Sequence, residues 1–136
     1  MADKFPKNVR SKVMSRIRSR DTKPEKLVRS IMHSLGFRFR LYDKNMPGRP
    51  DLVLKKYQTA VFVNGCFWHQ HPGCKKSVVP KSNKTYWLPK LAKNVDRDKK
   101  NIEIIENQGW RCLILWECET KSHESLQIKI QTFMNK

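Results

Sequence analysis

Between Asn64 and Cys74 the chain reads Asn64-Gly65-Cys66-Phe67-Trp68-His69-Gln70-His71-Pro72-Gly73-Cys74. Two thiols, two imidazoles and two adjacent large aromatics fall within this one short stretch. Cys66, His71 and Cys74 are spaced to ligate a single metal ion, and a sulfur-rich set with imidazole suits zinc. A structural zinc takes four such ligands in a tetrahedron, so a fourth must come from elsewhere. Cys112 and Cys118 compete for that place. Cys112 lies among apolar neighbours in Trp110-Arg111-Cys112-Leu113-Ile114-Leu115-Trp116, where a free cysteine is simply a small hydrophobe. Cys118 follows that run, where a loop can reach it, and is the expected fourth ligand. A loop this short cannot easily bury both Phe67 and Trp68. His69 is neither needed as a ligand nor on an obvious core face. The expectation is that zinc fixes the loop, residues 65–80, so that the aromatics and His69 face a substrate.

Three carboxylates accompany this loop. Asp51 follows the turn Pro47-Gly48-Arg49-Pro50 and opens the apolar run Leu52-Val53-Leu54. There it suits a hard cation, although a turn aspartate bonded to backbone is the plainer reading. Asp98 falls three residues after Val95 and four before Ile102, on the apolar face of a helical pattern. A carboxylate so placed needs a partner; an arginine would serve structure, and His69 would serve chemistry. Glu25 stands third in Thr22-Lys23-Pro24-Glu25, which has the form of a helix-capping box.

The elements that must position these groups follow from periodicity. Leu27, Val28, Ile31 and Leu35 mark a helix that stops at Gly36. Phe37, Phe39 and Leu41 alternate with Arg38 and Arg40, as in a half-buried strand. Leu52-Val53-Leu54 and Ala60-Val61-Phe62-Val63 are strands; if they pair, Asp51 lies near Val63. Residues 84–108 are helical, with a break expected near Lys93-Asn94 and a stripe of Leu88, Leu91, Val95, Ile102 and Ile105. The strand 110–116 and a helix from Ser122 to Met134 complete the chain. The order predicts an α/β fold: an αβββαβ core with a mixed sheet between helices.

A chain of 136 residues is expected to form one domain, residues 1–136, with the final helix within 120–136. The net charge of +17 calls for a polyanionic partner, nucleic acid first. No run is long and apolar enough to span a membrane, and no secretory leader is evident. A cytoplasmic place and metal-binding rather than disulfide-bonded cysteines are therefore expected. Residues 1–22 read as a basic arm along the phosphate backbone, carrying Arg16, Arg18 and Arg20. Met14 sits beside its helical stripe of Val9, Val13 and Ile17. It is placed either in the core or as an apolar side chain entering a groove.

The element order, with Pro50-Asp51 at the second strand, resembles the restriction-endonuclease fold. The strings Arg20-Asp21-Thr22, Pro47-Gly48-Arg49-Pro50-Asp51, Asn64-Gly65-Cys66-Phe67-Trp68-His69, Tyr86-Trp87-Leu88, Lys93-Asn94-Val95-Asp96-Arg97-Asp98 and Trp116-Glu117-Cys118 resemble the very-short-patch mismatch repair endonuclease family, Vsr. The resemblance covers nearly the whole chain. It implies a strand-specific nick in double-stranded DNA, 5′ of the thymine in a T:G mismatch left by deamination of 5-methylcytosine. It implies structural zinc on Cys66, His71, Cys74 and Cys118. Asp51 and the Val63 backbone carbonyl would bind catalytic magnesium, with His69 as general base oriented by Asp98 and Glu25 at the edge of the site. Phe67, Trp68 and Trp87 would wedge beside the mismatch, Met14 would enter from the other groove, and Lys90 and Asn94 would read the mispaired bases. A monomer is expected, acting in a bacterial cytoplasm on nucleoid DNA ahead of further repair proteins.

Two places depart from the resemblance: Pro72-Gly73 before Cys74 in the metal loop, and the string Phe62-Val63-Asn64. The acidic-x-Lys motif usual for the fold would fall at Phe62-Val63-Asn64, and the repair family's Phe-x-His would fall there too. Asn64 cannot exchange a proton near neutral pH, but it can hydrogen-bond phosphate and stays among the catalytic candidates. Two other classes remain: a restriction-type nuclease of the same fold cutting matched duplex, and a zinc-stabilised DNA-binding module without catalysis.

Overall fold

The computed structural model describes residues 22–136. The basic arm, with Met14, Arg16, Arg18 and Arg20, lies outside the described residues. Helix α1 spans Lys23–Ser34; Thr22 caps it, its side chain accepting the Glu25 N–H at 3.4 Å. Pro24 fits the first turn because its missing N–H would have no helical partner there. Gly36, with φ of +87°, turns the chain away.

Strand β1 is only Arg40–Leu41, shorter than the alternation of Phe37 to Leu41 predicts. The reason lies at Tyr42, whose φ of +50° cannot continue a strand. Phe37 and Phe39 still pack against the core as expected. Strands β2, Leu52–Leu54, and β3, Thr59–Asn64, pair antiparallel with Leu52 opposite Val61. Helix α2 then spans Lys84–Asn107 and returns the chain to β4, Arg111–Trp116. Strands β3 and β4 are parallel, in a register that pairs Thr59 with Arg111 and Asn64 with Trp116. The sheet order is β1-β2-β3-β4, a mixed sheet as expected. Helix α3, His123–Met134, follows a short 3-10 turn at Glu117–Lys121.

Strand side chains alternate in direction, so each strand faces two layers. Leu52, Leu54, Val61, Leu113 and Leu115 meet Val28, Ile31 and Met32 of α1 and Leu126 and Ile130 of α3 in one core. Phe62 and Ile114 point the other way and share a cleft wall with Ile102 of α2. That places α2 on the opposite face and sets the cleft between it and the ends of the strands.

Helix α2 is unbroken at Lys93-Asn94, contrary to expectation. The Asn94 amide donates to the Trp68 carbonyl at 3.2 Å instead of competing with its own backbone. Pro89 lies inside the helix, and Leu88 is exposed, so the buried stripe begins at Leu91. Among the described residues no helix is long and apolar enough to cross a membrane.

The turn before Asp51 is tightly seated. Gly48 has φ of +76°, and a Cβ there would lie 2.9 Å from the Asn101 amide nitrogen and 3.2 Å from Asn101 Cβ. Gly48→Ala should therefore cost about 1–3 kcal/mol through backbone strain and displacement of Asn101. A lower urea midpoint with unchanged slope would show this; an unchanged midpoint would mean the turn relaxes freely.

Candidate active site and metal cluster

The metal loop is fixed at both ends by the sheet. Cys66 leaves the end of β3 and Cys118 leaves the end of β4, so parallel pairing delivers them side by side. The loop folds on itself: His69 N–H donates to Gly65 O at 3.1 Å, His71 N–H to Cys66 O at 2.9 Å, and Cys74 N–H to His71 O at 3.2 Å. The Gln70 amide donates to Phe67 O at 2.7 Å and Ser77 O at 3.1 Å, closing the two arms. Its φ of +50° is the strained residue of this turn.

Ligand atoms of Cys66, His71, Cys74 and Cys118 all lie within 4.8 Å of one another. His71 Nδ1 is 3.7 Å from Cys66 Sγ and 3.4 Å from Cys118 Sγ. Tetrahedral bonds of about 2.0 Å to nitrogen and 2.3 Å to sulfur would separate such atoms by roughly 3.5–3.8 Å. The cluster therefore has the size and donor chemistry of a four-coordinate metal site. The His71 ring is stacked on Trp116, centroids 4.2 Å apart at 11°, which sets its plane. Without a cation, burial pushes the Cys66 thiol up to about 12, and the neighbouring thiols add to this. The Cys74 thiol is lowered, chiefly by the Lys76 backbone N–H. A bound cation would reverse the Cys66 shift and hold thiolates. Cys112 is not part of the cluster; burial raises it to about 11 within β4.

Next to this cluster lies a cleft of about 480 Å³. Glu25, Asp51, Val63, Asn64, His69 and Asp98 all line it, from α1, the edge of β2, β3, the loop and α2. His69 Nδ1 is 2.6 Å from Asp98 Oδ2. A carboxylate only accepts, so Nδ1 carries the proton and Nε2 is left as the basic nitrogen. The partner predicted for Asp98 is thus the histidine, not an arginine.

Asp51 Oδ2 accepts the Val63 N–H at 2.6 Å. Burial raises the Asp51 carboxyl to about 7, opposed by that hydrogen bond and by His69, and reinforced by Glu25. A buried carboxyl of this kind fits a cation that would restore its charge. Thr22 supplies the cap, and the Glu25 carboxylate has other partners: Tyr42 donates its phenol O–H to Glu25 Oε2 at 2.6 Å, and Arg29 lies 3.4 Å from the same oxygen. Neither Tyr42 nor Arg29 was legible as a site residue, since no motif marks them. Arg49 and Arg97 also line the cleft; both lie in strings that carry the family resemblance, yet sequence reasoning missed them as site residues.

Phe67, Trp68 and Trp87 form one edge-to-face cluster, with centroids 5.2 Å, 5.2 Å and 5.7 Å apart. Tyr86 extends it, 4.9 Å from Trp87. Lys90 Nζ lies 5.9 Å over Trp87 and 5.4 Å over Tyr86. The cluster is half-buried, with Tyr86 its most exposed ring.

A mixed sheet with Asp51 at the edge of β2 and an oriented imidazole on the same cleft defines a fold of the restriction-endonuclease-like class. The catalytic domain of homing endonuclease I-Bth0305I has a similar fold, with a TM-score of 0.57 over 83% of this chain and 94% of that one, at 19% identity. The family model for DNA mismatch endonuclease Vsr matches residues 2–76. DNA mismatch endonuclease Vsr of Escherichia coli is 44% identical over 93% of this chain and 80% of its own length. The type II nicking enzyme V.NmeAIP of Neisseria meningitidis is 48% identical over 90% of this chain and 86% of its own. The type II nicking enzyme V.XorIIP of Xanthomonas oryzae is 39% identical over 99% and 98%. The chain belongs to the Vsr family of DNA mismatch endonucleases.

Asp51 makes a pH prediction. Its folded pKa, about 7, lies above the ordinary 3.8. Its contribution to stability is therefore greatest below the ordinary value and is lost as pH rises through about 7. In magnesium-free buffer, Asp51→Asn should be more stable than the parent near pH 8, and the gap should close towards pH 4. Melting temperatures of both proteins across that range test it; a gap that widens on acidification would refute the assignment.

Proposed function

We propose that this protein nicks one strand of double-stranded DNA on the 5′ side of the thymine in a T:G mismatch. Membership of a DNA mismatch endonuclease family supports DNA as the partner. The observation that carries the chemistry is the 2.6 Å His69–Asp98 contact on a cleft shared with Asp51. Hydrolysis of a phosphodiester needs an activated water, in-line approach and charge neutralisation. Asp51, with the Val63 backbone, would hold a magnesium ion, which when bound supplies charge neutralisation and makes water more acidic.

His69 takes the proton from the attacking water at Nε2, because an imidazole has a pKa near neutrality. Asp98 holds the tautomer that leaves Nε2 basic and stabilises the imidazolium that forms. Asn64, buried at the end of β3, donates a hydrogen bond to phosphate and takes no part in proton transfer. Glu25 completes the acidic wall. Zinc on Cys66, His71, Cys74 and Cys118 is structural and keeps His69 on the cleft.

Specificity comes from the other side of the loop. A mispaired step opens more cheaply than a matched one, and the difference is on the order of a few kcal/mol. Phe67, Trp68 and Trp87 enter that step as a ready-formed wedge, and Lys90 reads the exposed base edges. Asn94 both ties the loop to α2 and contacts the mispaired bases. Residues 1–22 would serve as the basic arm that contacts phosphates through Arg16, Arg18 and Arg20, with Met14 for the opposite groove. The protein is a single-domain monomer of the cytoplasm, and the nick is handed to further repair proteins.

Incubation with magnesium and two duplexes of equal sequence, one with T:G and one with T:A, tests this directly. The expected result is a nick in one strand of the T:G duplex alone. Equal cutting of both duplexes would point to a restriction-type nuclease, and no cutting to a binding module. His69→Ala should abolish nicking, by at least about a hundredfold for loss of a general base, while gel-shift affinity survives. Full activity of that variant would remove His69 from the mechanism.

A further inference from the structure

Tyr42 is held in a left-handed conformation, φ +50°, which is uncommon for a bulky aromatic and persists only where surroundings enforce it. The enforcing contacts are visible. Its phenol O–H donates to Glu25 Oε2 at 2.6 Å. Arg29, one turn along α1 from Glu25, brings Nη2 to 3.4 Å from the same carboxylate oxygen and also donates to the phenol oxygen. Its guanidinium lies over the Tyr42 ring, 5.5 Å from the centroid.

Two donors on one oxygen fix the rotation of a carboxylate that a single bond would leave free to turn. Glu25 is only 6% exposed, so the arrangement is not one of many solvated rotamers. Its carboxylate lies on the cleft wall with Asp51. The two carboxyls are close enough to share a hydrogen bond, and Glu25 makes the charge on Asp51 harder to hold. A pair of buried carboxylates held together in this way is favourable when a cation lies between or beside them.

We propose that Tyr42, backed by Arg29, is a positioning residue that holds Glu25 beside Asp51 as a two-carboxylate seat for the catalytic divalent cation. The proposal rests on the reading of Asp51 as a cation ligand. Neither Tyr42 nor Arg29 touches the reacting atoms. They act through Glu25, as outer partners of metal ligands commonly do.

Tyr42→Phe is the informative variant, because it keeps the ring and the cation–π contact and removes only the O–H. Manganese titration by calorimetry on the full-length, zinc-loaded protein without DNA gives a readout independent of nicking. Tyr42→Phe should weaken manganese binding about tenfold, the lower end for loss of an outer partner. The magnesium concentration for half-maximal nicking should rise by a similar factor, while KM for the mismatched duplex and the zinc content stay put. A general folding defect would instead lower zinc content and raise KM along with the metal requirement, which would overturn the positioning role. Manganese binding as tight as the parent's, while Glu25→Gln and Asp51→Asn weaken it, would also overturn the proposal but leave the proposed function standing. If Asp51→Asn binds manganese like the parent, the reading of the cleft fails and this proposal falls with it.

Discussion

Two parallel strands that stop at the same level dominate this molecule. With Asn64 beside Trp116, the chain leaves β3 and β4 at neighbouring points. The loop that begins there has little apolar mass of its own to bury. What holds it is a cluster of sulfur and nitrogen: Cys66 and Cys74 from the loop, His71 between them, and Cys118 from the far strand. The Glu117 carboxylate accepts the Cys66 N–H at 3.4 Å and pairs with Lys76 at 3.7 Å, so even the second layer crosses between the strands. Lys129 of α3 reaches Glu119 at 2.6 Å, tying the other core helix to the turn that carries Cys118. Geometry at this junction passes to His69, which is only two residues from His71.

The cluster and the cleft both suit a cation, but of different softness, and the fold keeps them apart by a few residues. Burial pushes the Cys66 thiol up while no cation is present. Burial raises the Asp51 carboxyl in the same way. Each site is costly when empty and favourable when a cation of the right softness is present, sulfur for one and oxygen for the other. On the reading proposed above, two cations then act without competing, because neither donor set suits the other's ion.

Much of this was legible because chemistry-bearing residues tend to violate local structural rules. Asp98 on an apolar helical face demands a partner, and His69 lacks a structural reason to exist where it is; the two meet. Cys118 could be preferred over Cys112 because a strand end can turn towards a loop and a strand middle cannot. The Thr22 cap was also real, while the Glu25 carboxylate meets Tyr42 and Arg29 farther away. What sequence could not give was anything set by a single backbone anomaly. Tyr42 ends β1 early through its positive φ, and no propensity assigns a left-handed conformation to tyrosine. The unbroken α2 is a related case: Lys93-Asn94 reads as a weak point only until the Trp68 carbonyl is known to take the Asn94 amide.

Under the proposed function, the aromatic cluster gives a reason for the loop to be rigid as well as present. Inserting a ring into duplex DNA has to repay unstacking of roughly a few kcal/mol. A side chain that must first be ordered loses a further ~0.5–1.5 kcal/mol. Phe67, Trp68 and Trp87 already hold one another edge to face, and Asn94 and Gln70 pin the backbone that carries the first two. Little ordering then remains to be done on contact with DNA, so the balance turns on how readily the base step opens. That is the quantity in which a mispaired step differs from a matched one. A loose loop would bind both poorly, and rigidity lets a small difference in duplex stability decide whether His69 reaches a phosphate. On the proposed function, recognition and hydrolysis thus depend on the same junction, with the wedge on one side of the loop and the imidazole on the other.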